Sequence, residues 1–185
     1  MEHFAGLLHA CSQRKELRFS YYKFWNESAT ERTVHPLALK EALGRWYLLA
    51  VDTKDGILKS FGLDRIQHPE ISKHSFREQY PVNLQQAFYY AFGIINEVNK
   101  KPQKIILSLS REQGLYLVNY PLHPTQQVIE DHPNHLKLQL EVLITFDLVM
   151  ALQSYGPYLK VESPKSLHRQ LRENARKVLE MYSPK

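Results

Sequence analysis

The chain has one cysteine, no long apolar run and no sign of a secretion signal, and each of these features excludes a class of protein. Because Cys11 stands alone among 185 residues, the chain cannot form an internal disulfide, which fits a reducing compartment. No apolar run approaches the roughly 20 residues that span a bilayer. Glu2 and His3 follow Met1 where a signal peptide would be basic and then apolar. We therefore expect a cytoplasmic protein with no membrane partner.

Motifs of catalysis and of cofactor binding are also absent. The sequence has no glycine-rich phosphate loop, no Gly-x-Ser-x-Gly and no His-Glu-x-x-His. His132 and His135 suggest a metal site, but they flank Pro133 in a segment that reads as a turn, with no cysteine pair nearby. We therefore expect no enzyme, no metal and no cofactor, although a site assembled from distant residues stays open.

Hydrophobic residues and positive charge are the features that the composition does supply. The hydrophobic fraction of 43% is enough for a packed core, and the length allows one domain or two small ones. The net charge is +5. This modest basicity permits a nucleotide or nucleic-acid partner without requiring one.

The clearest local signal is a hairpin. Arg45–Asp52 and Ile57–Leu63 are rich in aliphatic and aromatic residues, and the turn pair Asp55-Gly56 separates them. Alternation places Arg45 and Tyr47 on one face, so a cation lies beside a phenol. Such a face suits an anionic or aromatic ligand, and the alternative is an ordinary β-core with a surface arginine.

The rest of the first 80 residues predicts a small barrel. Residues 3–14 have the spacing of an amphipathic helix, and Glu16–Phe24 and Glu31–His35 read as strands. Pro36 argues against continued central pairing of the second strand. His68-Pro69 is predicted to end the unit, and residues 70–82 to form a connector. Four or five short strands at this spacing favour a barrel over an open sheet.

The second half predicts a different unit. Asn83 can cap a bridging helix that runs to Val98. From residue 101 the order strand, helix, strand, strand, helix, strand indicates a ferredoxin-like unit, and the predicted class is α+β. A last helix opens at Pro164. Its predicted buried face consists of Leu167, Leu171, Ala175, Val178 and Tyr182.

Two segments carry a resemblance to a known family. "RWYLLAVD" (45–52) and "FGLDRI" (61–66) resemble the signature of the WYL domain, and "FSYYKF" (19–24) and "VHPLALK" (34–40) lie where that family has its first strands. "PLHPTQ" (121–126) and the Gly156…Pro164…Leu167 arrangement resemble the C-terminal extension that follows this domain in bacterial transcription regulators. One departure is Gly62, where the family often has a ligand-binding arginine.

The resemblance implies a domain organisation and a ligand groove. It implies an SH3-like or Sm-like barrel over 1–80, a bridge over 81–100 and the extension over 101–185. The matching positions that would line a groove on the barrel are Tyr21, His35, Arg45, Tyr47 and Arg65. Arginine offers a planar fork for phosphate and tyrosine a stacking face, which suits a nucleotide or short single-stranded nucleic acid. The alternative is that both tyrosines are core aromatics and Arg65 pairs with Asp64 or Glu31.

A second set of cations lies on the last helix. One stripe at spacings of four, three and four contains Lys165, Arg169, Arg172 and Arg176. A basic helical face can follow a phosphate backbone, and the alternative is a solvated surface.

These features together predict the ligand-sensing region of a bacterial transcription regulator that works as a homodimer. Relatives of this kind usually carry an N-terminal helix-turn-helix that binds DNA, and this chain begins at the leading helix of the barrel. We expect that domain to be part of a longer regulator or to lie on a partner. The alternative function is a protein-interaction or dimerisation module without a nucleic-acid ligand.

Overall fold

The structure is a computed structural model that describes residues 3–24, 28–97 and 100–183. The chain divides into two compact units, Met1–Pro81 and Val82–Lys185. Each unit combines an antiparallel sheet with helices, so the predicted α+β class is confirmed. In the described part of the chain, no helix combines the length and the apolar character that crossing a membrane requires.

The first unit is a five-stranded antiparallel sheet that follows a short helix. In chain order its elements are α1 (Phe4–Ser12), β1 (Lys15–Tyr21), β2 (Thr30–Ala42), β3 (Arg45–Asp52), β4 (Leu58–Gly62), a 3₁₀ turn (Leu63–Arg65) and β5 (Ile66–Ser75). The strands lie side by side in the order β4-β3-β2-β1-β5. Because alternate residues of a strand share a face, Leu17, Phe19 and Tyr21 all point into the core.

Helix α1 forms where the apolar spacing predicts a helix. Leu7 and Ala10 are fully buried, and Leu7 joins the core of the sheet. Cys11 is half-buried on the same side of the helix. Burial raises the pKa of its thiol to about 11. Cys11 is therefore a neutral packing residue and not an activated nucleophile.

The Asp55-Gly56 pair forms the predicted turn between β3 and β4. The N–H of Gly56 donates to the carbonyl of Asp52 at 2.8 Å, and the N–H of Asp52 donates to the carbonyl of Ile57 at 3.1 Å. Gly56 has a φ of +68°, a conformation that glycine adopts without steric cost. The bounds of β3 are those predicted, Arg45–Asp52.

A buried carboxylate ties three strands together beside this turn. The side chain of Asp52 (β3) is only 2% exposed and accepts from Arg32 Nη1 (β2) at 3.0 Å and from Lys59 Nζ (β4) at 2.8 Å. The backbone N–H of Lys54 donates to the other oxygen at 3.0 Å. Burial raises the pKa of Asp52, but the bonds from Lys59 and Lys54 and the Arg32 charge outweigh it, and the pKa is lowered overall.

Strand β2 continues past Pro36, so the predicted end at His35 is wrong. Its pairing with β1 stops at Val34, whereas its pairing with β3 extends from Val34 to Ala42. Pro36 therefore lies where β2 has a neighbour on one side only. A register shift between Pro36 and Ala38 accommodates the residue that lacks an N–H.

Strand β5 occupies much of the segment predicted to be a connector over residues 70–82. It passes through His68 and Pro69, where the sequence predicts the end of the unit, and pairs with β1. Arg18 faces Glu70 and Ser20 faces Gln67, so the residue between Arg18 and Ser20 opposes two residues of β5. This bulge holds His68 at a φ of +50° and removes the need for a proline N–H.

The second unit is a four-stranded antiparallel sheet with helices. In chain order its elements are α2 (Leu84–Ala87), β6 (Gln103–Ser110), α3 (Arg111–Asn119), β7 (Gln127–His132), β8 (His135–Val142), α4 (Phe146–Ser154), a 3₁₀ turn (Gly156–Tyr158), β9 (Leu159–Ser163) and α5 (Lys165–Tyr182). The strand order is β7-β8-β6-β9. Leu136, Leu138 and Leu140 of β8 are buried, as their alternation predicts.

The bridging helix predicted from Asn83 to Val98 is much shorter than expected. The Asn83 side chain accepts from the N–H of Gln86 at 3.1 Å, as predicted, but α2 ends at Ala87; Val98 lies outside the described residues. The carbonyl of Tyr90 accepts from the N–H of Leu143 at 2.8 Å instead of from a residue one helical turn later. A tertiary bond thus replaces helix continuation in this aromatic segment.

Helix α5 buries less of its apolar face than the spacing predicts. Leu167 is buried and Leu171 half-buried, but Ala175 is exposed, Val178 is 48% exposed and Tyr182 is 83% exposed. Helix α5 packs on the core of its own unit through Leu167 and Leu171, and Asn174 Nδ2 donates to Gln153 Oε1 of α4 at 3.1 Å. The second half leaves an apolar surface uncovered among the described residues.

His123 gives the second unit a pH dependence that can be measured. Burial lowers the pKa of His123 below the ordinary 6.5. Hydrogen bonds to the backbone carbonyls of Tyr89 and Ala91 raise this pKa, but by less. Below pH 6.5 the unfolded chain therefore binds a proton that the folded unit resists, so stability falls as the pH decreases. We expect the thermal midpoint of wild type to drop more between pH 7 and 5 than that of His123→Asn. Parallel curves for the two proteins would contradict this assignment.

Candidate ligand recess

A cavity of the first unit opens between the start of α1, the start of β3 and the 3₁₀ turn after β4. It has a volume of about 580 Å³, and we call it the α1–β3 recess. Its apolar lining consists of Phe4, Trp46, Leu63 and Ile66. Its polar lining consists of His3, Arg45 and Asp64, with the backbone of Gly44 at the edge.

The turn between β2 and β3 brings Arg45 and Trp46 to this recess. Leu43 and Gly44 both have positive φ values, of 51° and 76°, and the N–H of Gly44 donates to Glu41 Oε1 at 2.6 Å. Trp46 meets the ring of Phe4 edge-to-face, with centroids 4.9 Å apart. This aromatic contact joins α1 to β3 and forms one wall of the recess.

Two opposite charges face the recess. Arg45 is exposed and forms no ion pair with any residue that the structure describes. The side chain of Asp64 is 53% exposed, and its only ion-pair partner in the described ranges is Arg65, with Asp64 Oδ1 3.9 Å from Arg65 Nε. With respect to the described residues, the recess therefore offers a ligand one cation without an ion pair and one weakly paired carboxylate.

Arg65 lies beside the recess and packs on aromatic rings. Its guanidinium carbon is 5.1 Å from the ring centroid of Tyr21 and 5.3 Å from that of Phe24. Its Nε is buried and has no hydrogen-bond partner among the described residues. Cation–π contacts of this kind contribute about 0.5–2 kcal/mol.

Tyr21 is a core residue with a satisfied hydroxyl. It is 5% exposed, and its hydroxyl oxygen accepts from the N–H of Gly62 at 3.1 Å. Burial raises the pKa of Tyr21, while the Gly62 bond and the Arg65 charge lower it by less. Tyr21 thus supports Arg65 from beneath and presents little surface to a ligand.

Gly62 allows this packing to form. A Cβ at position 62 would lie 2.6 Å from Asp64 Oδ1 and 2.9 Å from an Arg65 guanidinium nitrogen. A side chain there would displace both. The space beside residue 62 is filled by Arg65, so the absence of an arginine at position 62 does not leave this region without a cation.

Tyr47 and His35 lie in different surroundings. Tyr47 is half-buried and pairs in register with Gly62, two residues along β3 from Arg45. His35 pairs with Val51, six residues from Arg45, which is about 20 Å at the ordinary rise of a strand. The five predicted residues therefore do not all line one cavity.

His35 belongs to a second cluster that holds the segment after β5. It is 7% exposed, its ring stacks on Phe76 with centroids 4.3 Å apart, and its Nδ1 lies 2.6 Å from the hydroxyl of Tyr80. Arg14 reinforces this cluster, with its guanidinium carbon 4.6 Å from the Phe76 centroid and Nη2 donating to the carbonyl of Glu78 at 2.7 Å. His35 is thus occupied by contacts within the unit.

Family models match both units of the chain. The model described as the WYL domain matches residues 2–71, and the model described as the WCX domain matches residues 101–179. The chain is a WYL domain-containing protein. The resemblance of "RWYLLAVD" and "FGLDRI" to this family is thereby confirmed, and the recess lies within the segment that the WYL model covers.

Solved structures resemble this WYL domain-containing protein at low sequence identity. Proteasome accessory factor B/C (PafBC) of Arthrobacter aurescens is 22% identical with a TM-score of 0.40; the match covers 99% of this chain and 27% of that one. A CRISPR Cas-related protein is 12% identical with a TM-score of 0.55, over 96% of this chain and 50% of that one. The second likeness shows a shared fold. No curated protein matches the sequence.

Sequence reasoning missed three residues that shape the recess of the WYL domain. Phe4 is part of the predicted apolar stripe of α1, and alternation places Trp46 on the face opposite Arg45. From the sequence alone, Asp64 is expected only as a possible ion-pair partner of Arg65. The signal that could have found Trp46 and Asp64 is their position within the two motifs "RWYLLAVD" and "FGLDRI". The recess itself needs α1 to meet β3, which is a tertiary contact.

The basic stripe of α5 is only partly available. Lys165, Arg169 and Arg172 are exposed. Arg176 forms ion pairs with Glu173 and Glu180, both at 2.6 Å. Elsewhere in this unit the rings of His132 and His135 stack 4.7 Å apart, and the described ranges contain no cluster of three metal ligands.

Proposed function

We propose that the chain is the effector-binding region of a bacterial transcription regulator, and that the α1–β3 recess binds a nucleotide or a short single-stranded nucleic acid. The observation that carries this proposal is Arg45, an exposed arginine without an ion pair among the described residues, next to the indole of Trp46 at one cavity. Arginine binds phosphate through a planar fork, and an indole can stack on a base. The volume of about 580 Å³ falls in the ordinary range of small-molecule sites.

The finer fold assignment is part of the same proposal. In the first unit β5 follows a 3₁₀ turn and pairs with β1, which supports an SH3-like or Sm-like barrel that stays partly open. In the second unit the strand order β7-β8-β6-β9, with a helix after β6 and another after β8, supports a ferredoxin-like arrangement.

The biological setting is proposed from the family resemblance. The region would act as a homodimer in the cytoplasm, as a sensor and not as an enzyme. DNA would be bound by a helix-turn-helix domain elsewhere in a longer regulator or on a partner. Tyr21, Arg65 and Tyr47 would shape and support the ligand site, while His35 would have a structural role.

A test of this function uses fluorescence anisotropy with labelled single-stranded DNA and RNA of about six nucleotides, and competition by mononucleotides. We expect Arg45→Gln to weaken binding about tenfold or more, since one charge-assisted contact is worth about 1.5–3 kcal/mol. The matched control is Arg18→Gln, because Arg18 is an exposed arginine of the same sheet that already pairs with Glu31 at 3.6 Å. Equal affinities for wild type and Arg45→Gln would overturn the assignment.

A protein-interaction or dimerisation module is the second candidate. The exposed apolar residues in the last two turns of α5 favour it, since Leu179, Met181 and Tyr182 are 68%, 80% and 83% exposed. Binding that is insensitive to salt and to oligonucleotides would support this candidate over the first.

A further inference from the structure

We propose that Asp64 makes the α1–β3 recess selective for guanine among the nucleobases. This inference rests on the proposed nucleotide-binding function and adds the class of ligand. A carboxylate is an unexpected group in a site for an anionic ligand, because it repels phosphate. The presence of Asp64 in the lining therefore favours a ligand that has hydrogen-bond donors as well as a negative group.

Asp64 is available to a ligand. It lies in the 3₁₀ turn that follows Gly62, and its side chain is 53% exposed. Within the described ranges neither carboxylate oxygen accepts a hydrogen bond, and Arg65 Nε at 3.9 Å is too far to donate one. The carboxylate thus keeps its acceptor capacity for a ligand.

The chemistry of the four base edges decides the preference. An ionised carboxylate only accepts hydrogen bonds. Guanine presents N1–H and N2–H side by side, so that both can donate to the two oxygens of one carboxylate. Adenine and cytosine each place a ring-nitrogen acceptor next to their amino group, and uracil flanks its single N–H with two carbonyls. Only guanine therefore offers two adjacent donors to the carboxylate. Each of the other bases would place an acceptor atom next to the negative charge, which is unfavourable.

The remaining groups of the recess set the orientation of the nucleotide. Trp46 lies in the lining and is fixed at its ring by the edge-to-face contact with Phe4. A base that stacks there directs its Watson–Crick edge to Asp64, while its phosphate is attracted to Arg45. The opposite charges of Asp64 and Arg45 therefore favour one orientation, with the base at the carboxylate and the phosphate at the guanidinium.

The test measures the affinity of the full chain for GMP, IMP, AMP, CMP and UMP by calorimetry at neutral pH. We expect GMP to bind about tenfold or more tightly than AMP, as a bidentate base contact does. IMP keeps N1–H but lacks the 2-amino group, so its affinity should lie between those of GMP and AMP. Asp64→Asn, whose amide offers a single acceptor oxygen, should lose the preference for GMP over AMP. Glu70→Gln, at an exposed acid of β5, is the control and should keep it.

The outcomes separate this inference from the proposed function. Similar wild-type affinities for the five nucleotides would overturn the role of Asp64 and leave nucleotide binding intact. Failure of every nucleotide and of single-stranded DNA and RNA to bind would overturn the proposed function itself, and this inference with it. If Asp64→Asn does not fold, the wild-type affinities still test the role of Asp64, which predicts that GMP binds more tightly than IMP and IMP more tightly than AMP.

Discussion

Replacing Asp52 with alanine is expected to lower the free energy of unfolding of the first unit by about 2–4 kcal/mol. The variant leaves the guanidinium of Arg32, 19% exposed, and the ammonium of Lys59, 29% exposed, without their shared counter-ion. Arg32 Nε already has no hydrogen-bond partner in the described part of the chain. Partial exposure of both cations places the loss below that of a fully buried pair.

Urea unfolding monitored by tryptophan fluorescence is the suitable measurement. The chain has two tryptophans, both in the first unit, so the signal reports this unit alone. Asp55→Asn is the control, since it removes the exposed charge that pairs with Lys59 but keeps an acceptor for the N–H of Ile57 in the turn, and its effect should be much smaller. Because the pKa of Asp52 is lowered in the folded unit, its contribution is complete above pH 3.8 and is lost as the pH falls further. Equal midpoints for wild type and Asp52→Ala at pH 7 would contradict the role of this cluster.

Replacing Gly114 with alanine is expected to destabilise the second unit by about 1–3 kcal/mol, although alanine is the better helix former. Gly114 is buried in α3, and a Cβ there would lie 2.6 Å from both Cβ and Cδ1 of Leu136 in β8. Leu136 is 1% exposed and cannot move aside. Helix and sheet would have to separate, which costs more than the gain in helix propensity.

Gly6→Ala is the matched control for this substitution. Gly6 lies in α1, and the nearest atom to a new Cβ is Ile71 Cδ1 at 3.6 Å, which is an ordinary contact. Alanine should therefore leave stability unchanged or raise it by up to about 1 kcal/mol. Circular dichroism at 222 nm during thermal unfolding measures both variants. The close-approach argument fails if Gly114→Ala is as stable as Gly6→Ala.

Elements with a strong local signal could be predicted from the sequence. Asp55-Gly56 specifies its own turn, Ser110 accepts from the N–H of Gln113 at the start of α3, and the alternating leucines of β8 need only one buried face. In each case the information lies within a few residues along the chain. Predictions from these signals are correct because the tertiary fold favours the same local structures.

Pro36 and Pro69 misled the prediction of strand ends, because the effect of a proline depends on its neighbours in space. Pro36 lies beyond the residues of β2 that β1 covers, and Pro69 lies in a bulge of β5. Nothing near either residue in the sequence shows which of its sides is unpaired. The segment after α2 fails for a similar reason, since the bond between Tyr90 and Leu143 spans 53 residues.

The candidate site was predicted in part. Strand alternation groups Tyr21 with the buried Leu17 and Phe19 on one face of β1. The exposure of Arg45 follows from its position at the start of β3, because Leu49 on the same face is only 2% exposed. The roles of Phe4 and Asp64 depend on how α1 and the 3₁₀ turn meet β3. Phe76 and Tyr80, which contact the His35 ring, lie more than 40 residues along the chain, so no local pattern could show that it is occupied.

The cluster around His35 has a consequence for preparing the first unit by itself. The family match ends at residue 71, inside β5, and a fragment cut there would lose four residues of that strand. It would also lose Phe76 and Tyr80, and the imidazole of His35 would then be exposed to solvent. A soluble fragment for ligand studies should therefore extend at least to Tyr80.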